Sequence, residues 1–171
     1  MPQLIVDRFT FDFPAGWSLL KYDDCSFYRE HFNSLAHSKA LDLLALSPAP
    51  SELWMIEIKD YRRARRTKPG NLFTEVARKA RDTLAGLAVA RMNANDAPSQ
   101  GFAAEAMRAG RVRVVFLLEQ PEKPSKVFPH VVNPATARTE LKRALRAIDP
   151  HPVFGNAATL TKKTAWTVTP P

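Results

Sequence analysis

The sequence predicts a mixed α/β fold in which a central sheet packs against helices. Segments with the alternation or the short apolar runs of strands lie before, between and after segments with the three-and-four spacing of helices. Hydrophobic residues make up 45% of the chain and charged residues 25%, which are ordinary values for a globular protein. The length of 171 residues fits one domain, so we expect residues 1–171 to fold as a single unit.

The first half of the chain contains three predicted strands. Residues 4–13 alternate in polarity and place three phenylalanines on one face, as in a strand. Asp24 is a candidate N-cap for a short helix that would present Tyr28, Phe32 and Leu35. The apolar runs KALDLLALS and ELWMIEIKDY, which begin at residues 39 and 52, are separated by the turn sequence SPAPS. These two runs predict a hairpin.

The second half is predicted to contain two long helices with a strand between them. Residues 71–92 carry apolar side chains at three-and-four spacing, and Asn71 is a suitable N-cap. A short helix ending near Gly110 and a buried strand over 111–121 follow. The asparagine–proline pair at 133–134 predicts the start of another helix. The segment TAWTVT near the end predicts a last strand.

The composition narrows the classes of function. The net charge of +8 favours a polyanionic partner, either a nucleic acid or an anionic membrane. The single cysteine, Cys25, makes neither a disulfide framework nor a thiolate zinc site, which fits a reducing compartment. No run approaches the ~18 apolar residues of a membrane span, so we expect a cytoplasmic protein without a membrane partner. No glycine loop typical of a phosphate cradle occurs, which disfavours a nucleotide-driven motor.

Two charged residues interrupt the second apolar run. Glu57 and Lys59 share one face of this predicted strand, because alternate side chains point the same way. Burying either charge without a partner is costly, and Asp42 in the other half of the hairpin is the natural partner. Two carboxylates that meet repel each other unless a hard cation lies between them. Two acids that bind Mg²⁺ and one lysine beside the attacking water are what phosphodiester hydrolysis requires.

The stretch ALDLLAL…ELWMIEIKDYR resembles the PD-(D/E)XK nuclease superfamily. Members of that superfamily carry an Asp on one strand and Glu-x-Lys on the next, followed by a helix. Asp42 matches the first acid and Glu57-Ile58-Lys59 matches the second half, with fourteen residues between Asp42 and Glu57, as suits a hairpin. The resemblance covers about residues 39–118. It departs from the pattern at Leu41, where a proline would be expected.

The resemblance implies a fold, a cofactor and roles for individual residues. The implied fold is restriction-endonuclease-like, with a mixed central sheet flanked by helices. Asp42 and Glu57 would bind Mg²⁺ or Mn²⁺, the backbone carbonyl of Ile58 would add a ligand, and Lys59 would orient the nucleophile. Many relatives also have an acid on an upstream helix, and three residues are candidates here: Glu30, Asp23 and Asp24.

We therefore expect a metal-dependent nuclease that acts on DNA, in defence, repair or recombination. The alternative is a catalytically inactive nucleic-acid- or protein-binding module on the same fold. The chain has no evident specificity domain, so a partner protein or a second copy of the chain is a candidate for selecting the target.

A basic run follows the predicted catalytic lysine directly. Its residues are candidates for contacts with a phosphate backbone, and the alternative is a solvated loop. The run consists of Arg62, Arg63, Arg65, Arg66 and Lys68. A second basic stripe, at Arg138, Lys142 and Arg146, follows the spacing of one helix face.

Overall fold

The computed structural model describes residues 1–35, 37–49 and 51–171, which form eight strands in two sheets and five α-helices. The strands are β1 (Gln3–Val6), β2 (Phe9–Asp12), β3 (Ser18–Lys21), β4 (Leu43–Leu46), β5 (Glu52–Asp60), β6 (Arg111–Glu119), β7 (Val153–Gly155) and β8 (Thr167–Thr169). The helices are α1 (Ser26–Glu30), α2 (Leu72–Asn93), α3 (Ala97–Ala106), α4 (Pro134–Leu145) and α5 (Ala157–Leu160). Ala36, and Pro50 of the predicted turn, lie outside the described residues.

The central sheet has the strand order β3-β4-β5-β6-β7 and contains both antiparallel and parallel pairs. β3, β4 and β5 are antiparallel neighbours, so the two apolar runs form the expected hairpin. β6 and β7 are added in parallel. Between β5 and β6, α2 and α3 provide the long crossover that a parallel pair requires. The predicted mixed α/β class is confirmed, and α2, α3 and α4 pack on one face of the central sheet.

A second sheet of three antiparallel strands, β1-β2-β8, packs against the other face of the central sheet. The predicted single strand over residues 4–13 is wrong, because the chain reverses at Asp7 and Arg8 to form the β1–β2 hairpin. Both residues have positive φ, 48° and 70°, as in the two-residue turns whose twist matches that of paired strands. Asp-Arg is not one of the glycine-containing pairs that normally mark such turns, so the reversal carries no clear sequence signal.

Alternate side chains of β5 belong to two separate hydrophobic cores. Leu53 and Met55 pack on the helical side, with buried residues of α2, α3 and α4. Trp54 and Ile56 point the other way and pack with the aromatic side chains of the second sheet. Because side chains alternate along a strand, the next odd-numbered residue, Glu57, points to the helical side. The strand therefore carries this carboxylate towards α2.

The two longest predicted helices begin where the sequence indicates. The side chains of Asn71 and Asn133 accept backbone N–H bonds at the first turns of α2 and α4. The predicted cap of the short helix is wrong, because Asp24 lies in the turn before α1 and pairs with Lys21. Leu35, which the predicted helix would present, lies beyond the end of α1 and is 57% exposed. None of the helices in the described ranges has the length and apolar content needed to cross a membrane.

Several short elements lack a sequence prediction. β3, β7 and α5 have three or four residues each, which is too few for a periodic pattern. β3 is nonetheless important for the site, because its pairing with β4 places the segment after Lys21 beside the residues that precede β4. The predicted last strand is confirmed as β8.

A buried hydrogen bond ties the chain just before β4 to α2. The Leu41 N–H donates to the hydroxyl oxygen of Thr83 over 3.0 Å, and Thr83 is fully buried. Leu41 directly precedes Asp42. This bond therefore helps to fix the backbone of Asp42 relative to the helix.

Replacing Thr83 with valine is expected to lower the free energy of unfolding by about 1–3 kcal/mol, because the buried Leu41 N–H loses its acceptor. Denaturant unfolding followed by circular dichroism measures this change. Thr74→Val, at an exposed position of the same helix, is the matched control and should change stability by no more than about 0.5 kcal/mol. Equal effects of the two substitutions would show that the buried bond contributes nothing.

Candidate active site

The β4–β5 hairpin brings Asp42 and Glu57 together. Leu43 pairs with Ile56, so continuing the antiparallel register by one residue places Asp42 opposite Glu57. Both side chains point to the helical face, since Asp42 has the same parity as Leu44, which packs in the core on that side. Glu57 is fully buried and Asp42 is 7% exposed. The predicted pair of acids is thus buried at one point of the sheet.

Two lysines contact these acids, one from the strand and one from α2. Lys59 Nζ lies 2.5 Å from Glu57 Oε1. Lys79 Nζ lies 2.6 and 2.8 Å from the two carboxylate oxygens of Glu57 and 3.5 Å from Asp42 Oδ1. The Lys79 ammonium is therefore shared by both carboxylates, and Lys59 lies on the same side, as the strand alternation predicts.

Ile58 presents its backbone to the site. Its N–H donates to Asp42 Oδ2 over 2.7 Å, in a position just beyond the last β4–β5 backbone pair. The C=O of a strand residue points to the same side as its N–H, so the Ile58 carbonyl also faces Asp42. Lys59 Nζ donates to this carbonyl over 3.0 Å. The structure thus places all four residues of the predicted core site together.

Burial and mutual repulsion change the acid–base properties of the site. Burial, together with the nearby charge of Asp42, raises the pKa of Glu57 to about 7. Burial alone would lower the pKa of Lys59, but the charges of Glu57 and Asp42 outweigh it and raise that pKa above its ordinary value. Lys59 is therefore a cation at neutral pH and acts as a hydrogen-bond donor, not as a base.

The upstream acid nearest the site is Asp23. Burial and the charge of Asp42 raise the pKa of Asp23 to about 6, and its buried Oδ1 accepts no hydrogen bond from the described residues. The Tyr22 N–H donates to the Asp42 backbone carbonyl over 3.2 Å, which holds this segment beside the site. Glu30 is exposed at the end of α1, and Asp24 is committed to Lys21. Asp23 is therefore a better candidate for the upstream acid than Glu30.

The described residues contain no group of three or more His, Cys, Asp or Glu side chains arranged to hold a metal ion. The oxygen donors assembled at one point are the carboxylates of Asp42 and Glu57 and the carbonyl of Ile58. The two acids are the pair expected from the hairpin spacing, and the Ile58 carbonyl is the further ligand that the resemblance implies.

Some side chains of the basic run after β5 form ion pairs within the chain, and others do not. Arg62 makes two hydrogen bonds to the Asp60 carboxylate, at 3.0 and 2.7 Å. Arg66 bonds Glu75 Oε2 at 3.0 Å, and Lys68 lies 3.8 Å from the same carboxylate. Those two arginines are thus held by internal partners, whereas Lys68 remains largely exposed.

Arg63 and Arg65 are both exposed, and neither makes a hydrogen bond or ion pair within the described part of the chain. They are the members of the run that are free to contact a ligand. The stripe at Arg138, Lys142 and Arg146 is also exposed, along α4 and at its end.

An open groove of about 410 Å³ adjoins Lys59 at the end of β5. Its walls include Lys59, Tyr61 and the β1–β2 turn residues Asp7 and Arg8. Arg8 is exposed and makes no ion pair with the described residues. The groove therefore opens to solvent beside Lys59, with a positive side chain at its edge.

The sequence patterns do not indicate Lys79 as a site residue, and they do not distinguish Asp23 from the other upstream acids. Lys79 lies one residue before Ala80 and three after Val76, both of which are buried on the core face of α2. A lysine at the margin of the apolar face of a helix indicates a partly buried charge that needs a partner. The partner of Lys79 is identified only once the position of α2 relative to the hairpin is known. Asp23 was one of three acids in a segment with no regular pattern.

The comparisons with known proteins leave the family open. No family model matches the chain, and no solved structure matches it. A cysteine–tRNA ligase from Neisseria meningitidis (serogroup A, serotype 4A, strain DSM 15465 / Z2491) is 29% identical over 160 residues. This alignment covers 75% of the chain but 23% of the ligase, so the chain spans less than a quarter of the length of this curated relative.

The buried acids predict an unusual dependence of stability on pH. Glu57 has a folded pKa of about 7 against an ordinary value of 4.5, and Asp23 about 6 against 3.8. The folded protein therefore retains protons that the unfolded chain has lost. The free energy of unfolding without divalent cations should fall as pH rises from about 5 to about 8, because the folded state binds more protons in this range.

Thermal unfolding in buffers that contain EDTA measures this dependence. Glu57→Gln should remove most of the decline, and Asp23→Asn should remove its lower-pH part, since each substitution deletes one titrating group. Glu30→Gln, at an exposed acid, is the control and should leave the profile unchanged. A stability that rises over this range in the wild-type protein would contradict the raised pKa values.

Proposed function

We propose that the chain is a metal-dependent nuclease of the PD-(D/E)XK type with a restriction-endonuclease-like fold. The observation that carries the proposal is the buried pair Asp42 and Glu57, which face each other around one cationic group with Lys59 beside them. An Asp before one strand and Glu-x-Lys on its antiparallel neighbour are the parts that the resemblance requires. Their meeting on one face supports hydrolysis of phosphodiester bonds.

The donor set fits a hard divalent cation. Asp42 and Glu57 offer carboxylate oxygens and Ile58 offers a backbone carbonyl oxygen, which are ligand types that Mg²⁺ takes. The Lys79 ammonium lies within 3.5 Å of an oxygen of each carboxylate, so the space between them accommodates a cation. When bound, Mg²⁺ or Mn²⁺ would supply activation of the attacking water and neutralisation of charge on the phosphate.

Lys59 is the residue placed to act on the nucleophile. Its ammonium is held between Glu57 Oε1 and the Ile58 carbonyl, which fixes its direction at the edge of the site. Because its raised pKa keeps it protonated, Lys59 orients a water and stabilises negative charge as that charge develops. Asp23 has a buried oxygen that accepts no hydrogen bond from the described residues, and the charge of Asp42 acts on it, which supports a role for Asp23 as the upstream acid.

The proposed substrate is a nucleic acid, with DNA as the first candidate. The net charge of +8, the free side chains of Arg63 and Arg65, and Arg8 at the groove support a polyanionic ligand. The matched relative is named a cysteine–tRNA ligase, so RNA is a substrate to test beside DNA. A partner protein or a second copy of the chain remains the proposed source of target selection.

A second candidate function is a catalytically inactive nucleic-acid-binding module. The observation in its favour is that Lys79 and Lys59 already neutralise the two acids, so the site satisfies its charges without a metal. The two candidates differ in one measurable respect. The nuclease requires that a divalent cation bind at Asp42 and Glu57, whereas the inactive module does not.

Purified protein is expected to cleave DNA in Mg²⁺ or Mn²⁺ and to lose this activity in excess EDTA. Asp42→Asn, Glu57→Gln and Lys59→Ala should each lower the cleavage rate by at least about 100-fold, because each removes a group that stabilises transition-state charge. Cleavage of labelled linear DNA, plasmid DNA and tRNA on denaturing gels measures the rate and compares the substrates.

Circular dichroism of each variant checks that its fold is intact. Asp23→Asn is expected to slow cleavage and Glu30→Gln to leave it unchanged, which tests the choice of upstream acid. Wild-type protein that binds nucleic acid but cleaves none of these substrates in either metal would favour the inactive module.

The free arginines of the basic run are expected to contribute affinity and not catalysis. Arg63→Ala with Arg65→Ala should weaken DNA binding and lower the slope of log affinity against log salt by about two, one unit for each lost phosphate contact. The cleavage rate at saturating DNA should be nearly unchanged. Fluorescence anisotropy at several salt concentrations measures the slope.

The matched control is Arg138→Ala with Arg146→Ala, which removes the same charge from the α4 stripe. A changed slope for this pair, with an unchanged slope for Arg63 and Arg65, would place the DNA path along α4. A lost cleavage rate with unchanged affinity would instead place Arg63 and Arg65 in the active site.

A further inference from the structure

With Glu57 ionised, the candidate site contains two positive and two negative side chains. Asp42 and Glu57 are balanced by Lys59 and Lys79, and Glu57 contacts both ammonium groups. The Glu57 side chain is fully buried, those of Asp42 and Lys79 are 9% and 12% exposed, and Lys59 at the edge is 22% exposed. Charge balance matters more here than at a surface, because the effective dielectric is lower.

A divalent cation would disturb this balance. Adding two positive charges beside Lys59 and Lys79 would leave the site with an excess of positive charge, and charges that are buried without compensation are costly. The Lys79 ammonium also lies between the two carboxylates, at the position that a bound metal would share with both. The metal and the Lys79 ammonium therefore compete for the same oxygens.

The two lysines differ in how easily their ammonium groups can move away from the carboxylates. Lys59 has a second anchor, the Ile58 carbonyl at 3.0 Å. In the described part of the chain, Lys79 has polar contacts with the carboxylates of Glu57 and Asp42 and with no other group. Its α-helix is held in place by the Thr83–Leu41 bond, so a change of position falls to the flexible side chain.

We propose that Lys79 couples metal binding to nucleic-acid binding at this site. The inference rests on the proposed nuclease function. Without substrate, the Lys79 ammonium occupies the position between Asp42 and Glu57 and keeps metal affinity low. A phosphate of the nucleic acid offers the displaced ammonium a new partner and offsets the charge of the metal. Metal and nucleic acid therefore bind together more tightly than either binds alone, and the coupling is reciprocal.

Isothermal titration with Ca²⁺, with and without a short phosphorothioate DNA duplex, tests the coupling without requiring turnover. In the wild-type protein the duplex should raise Ca²⁺ affinity at least about fivefold. Lys79→Met should bind Ca²⁺ at least about fivefold more tightly than wild type in the absence of the duplex, and the duplex should add less. Ca²⁺ should accordingly raise the melting temperature of Lys79→Met more than that of wild type.

Lys79→Gln removes the charge but keeps a hydrogen-bond donor, and it serves as the second variant if methionine prevents folding. Arg91→Met, at an exposed position of the same helix, is the matched control and should leave Ca²⁺ affinity unchanged with and without the duplex. Equal Ca²⁺ affinities for wild type and the folded Lys79 variants would overturn the proposed coupling.

Asp42→Asn separates failure of this inference from failure of the proposed function. If Ca²⁺ binding is lost in Asp42→Asn but unchanged in the Lys79 variants, the metal site stands and the coupling does not. If the wild-type protein binds Ca²⁺ neither alone nor with the duplex, both the coupling and the metal-dependent function are wrong.

Discussion

The structure of the candidate site depends on the meeting of two buried carboxylates that would repel each other without a cation. Asp42 and Glu57 lie opposite each other across the β4–β5 hairpin, and the Lys79 ammonium contacts both. Removing a charge from water is costly unless it is paired, so this arrangement is retained only where oppositely charged groups are close. Lys59 and Lys79 satisfy that requirement in the structure. A divalent cation between the carboxylates would also satisfy it, with a different net charge at the site.

The two-sided burial of the central sheet makes this meeting possible. Helices cover one face and the β1-β2-β8 sheet covers the other, so β5 has a dry environment on both sides. The last residues of β5 extend beyond the final backbone pair with β4. The N–H and carbonyl of Ile58 therefore form no backbone pair with β4 and contact the side chains of the site. The pairing of β5 with β6 continues to Asp60 and Glu119, so this end of the strand is held on its other side by backbone hydrogen bonds.

The sequence predicted the parts of the site that follow from local rules. Alternation placed Glu57 and Lys59 on one face, and the hairpin spacing indicated Asp42 as their partner. The helix over Leu72–Asn93 and its Asn71 cap were likewise predicted from spacing and cap chemistry. The predicted strand over residues 4–13 is wrong because no local sequence pattern indicates the turn at Asp7 and Arg8. Both residues have positive φ, and they divide the predicted strand into a hairpin.

Periodicity and short-range spacing are enough to predict the mixed α/β class, the hairpin and the face on which its charges lie. Only the tertiary structure placed Lys79 between the two acids, Asp23 nearer the site than Glu30, and Arg66 against Glu75 instead of in solvent. Each of these contacts joins elements whose relative position is set by core packing. Distances between side chains on different elements depend on that packing, and no periodic pattern along the chain encodes them.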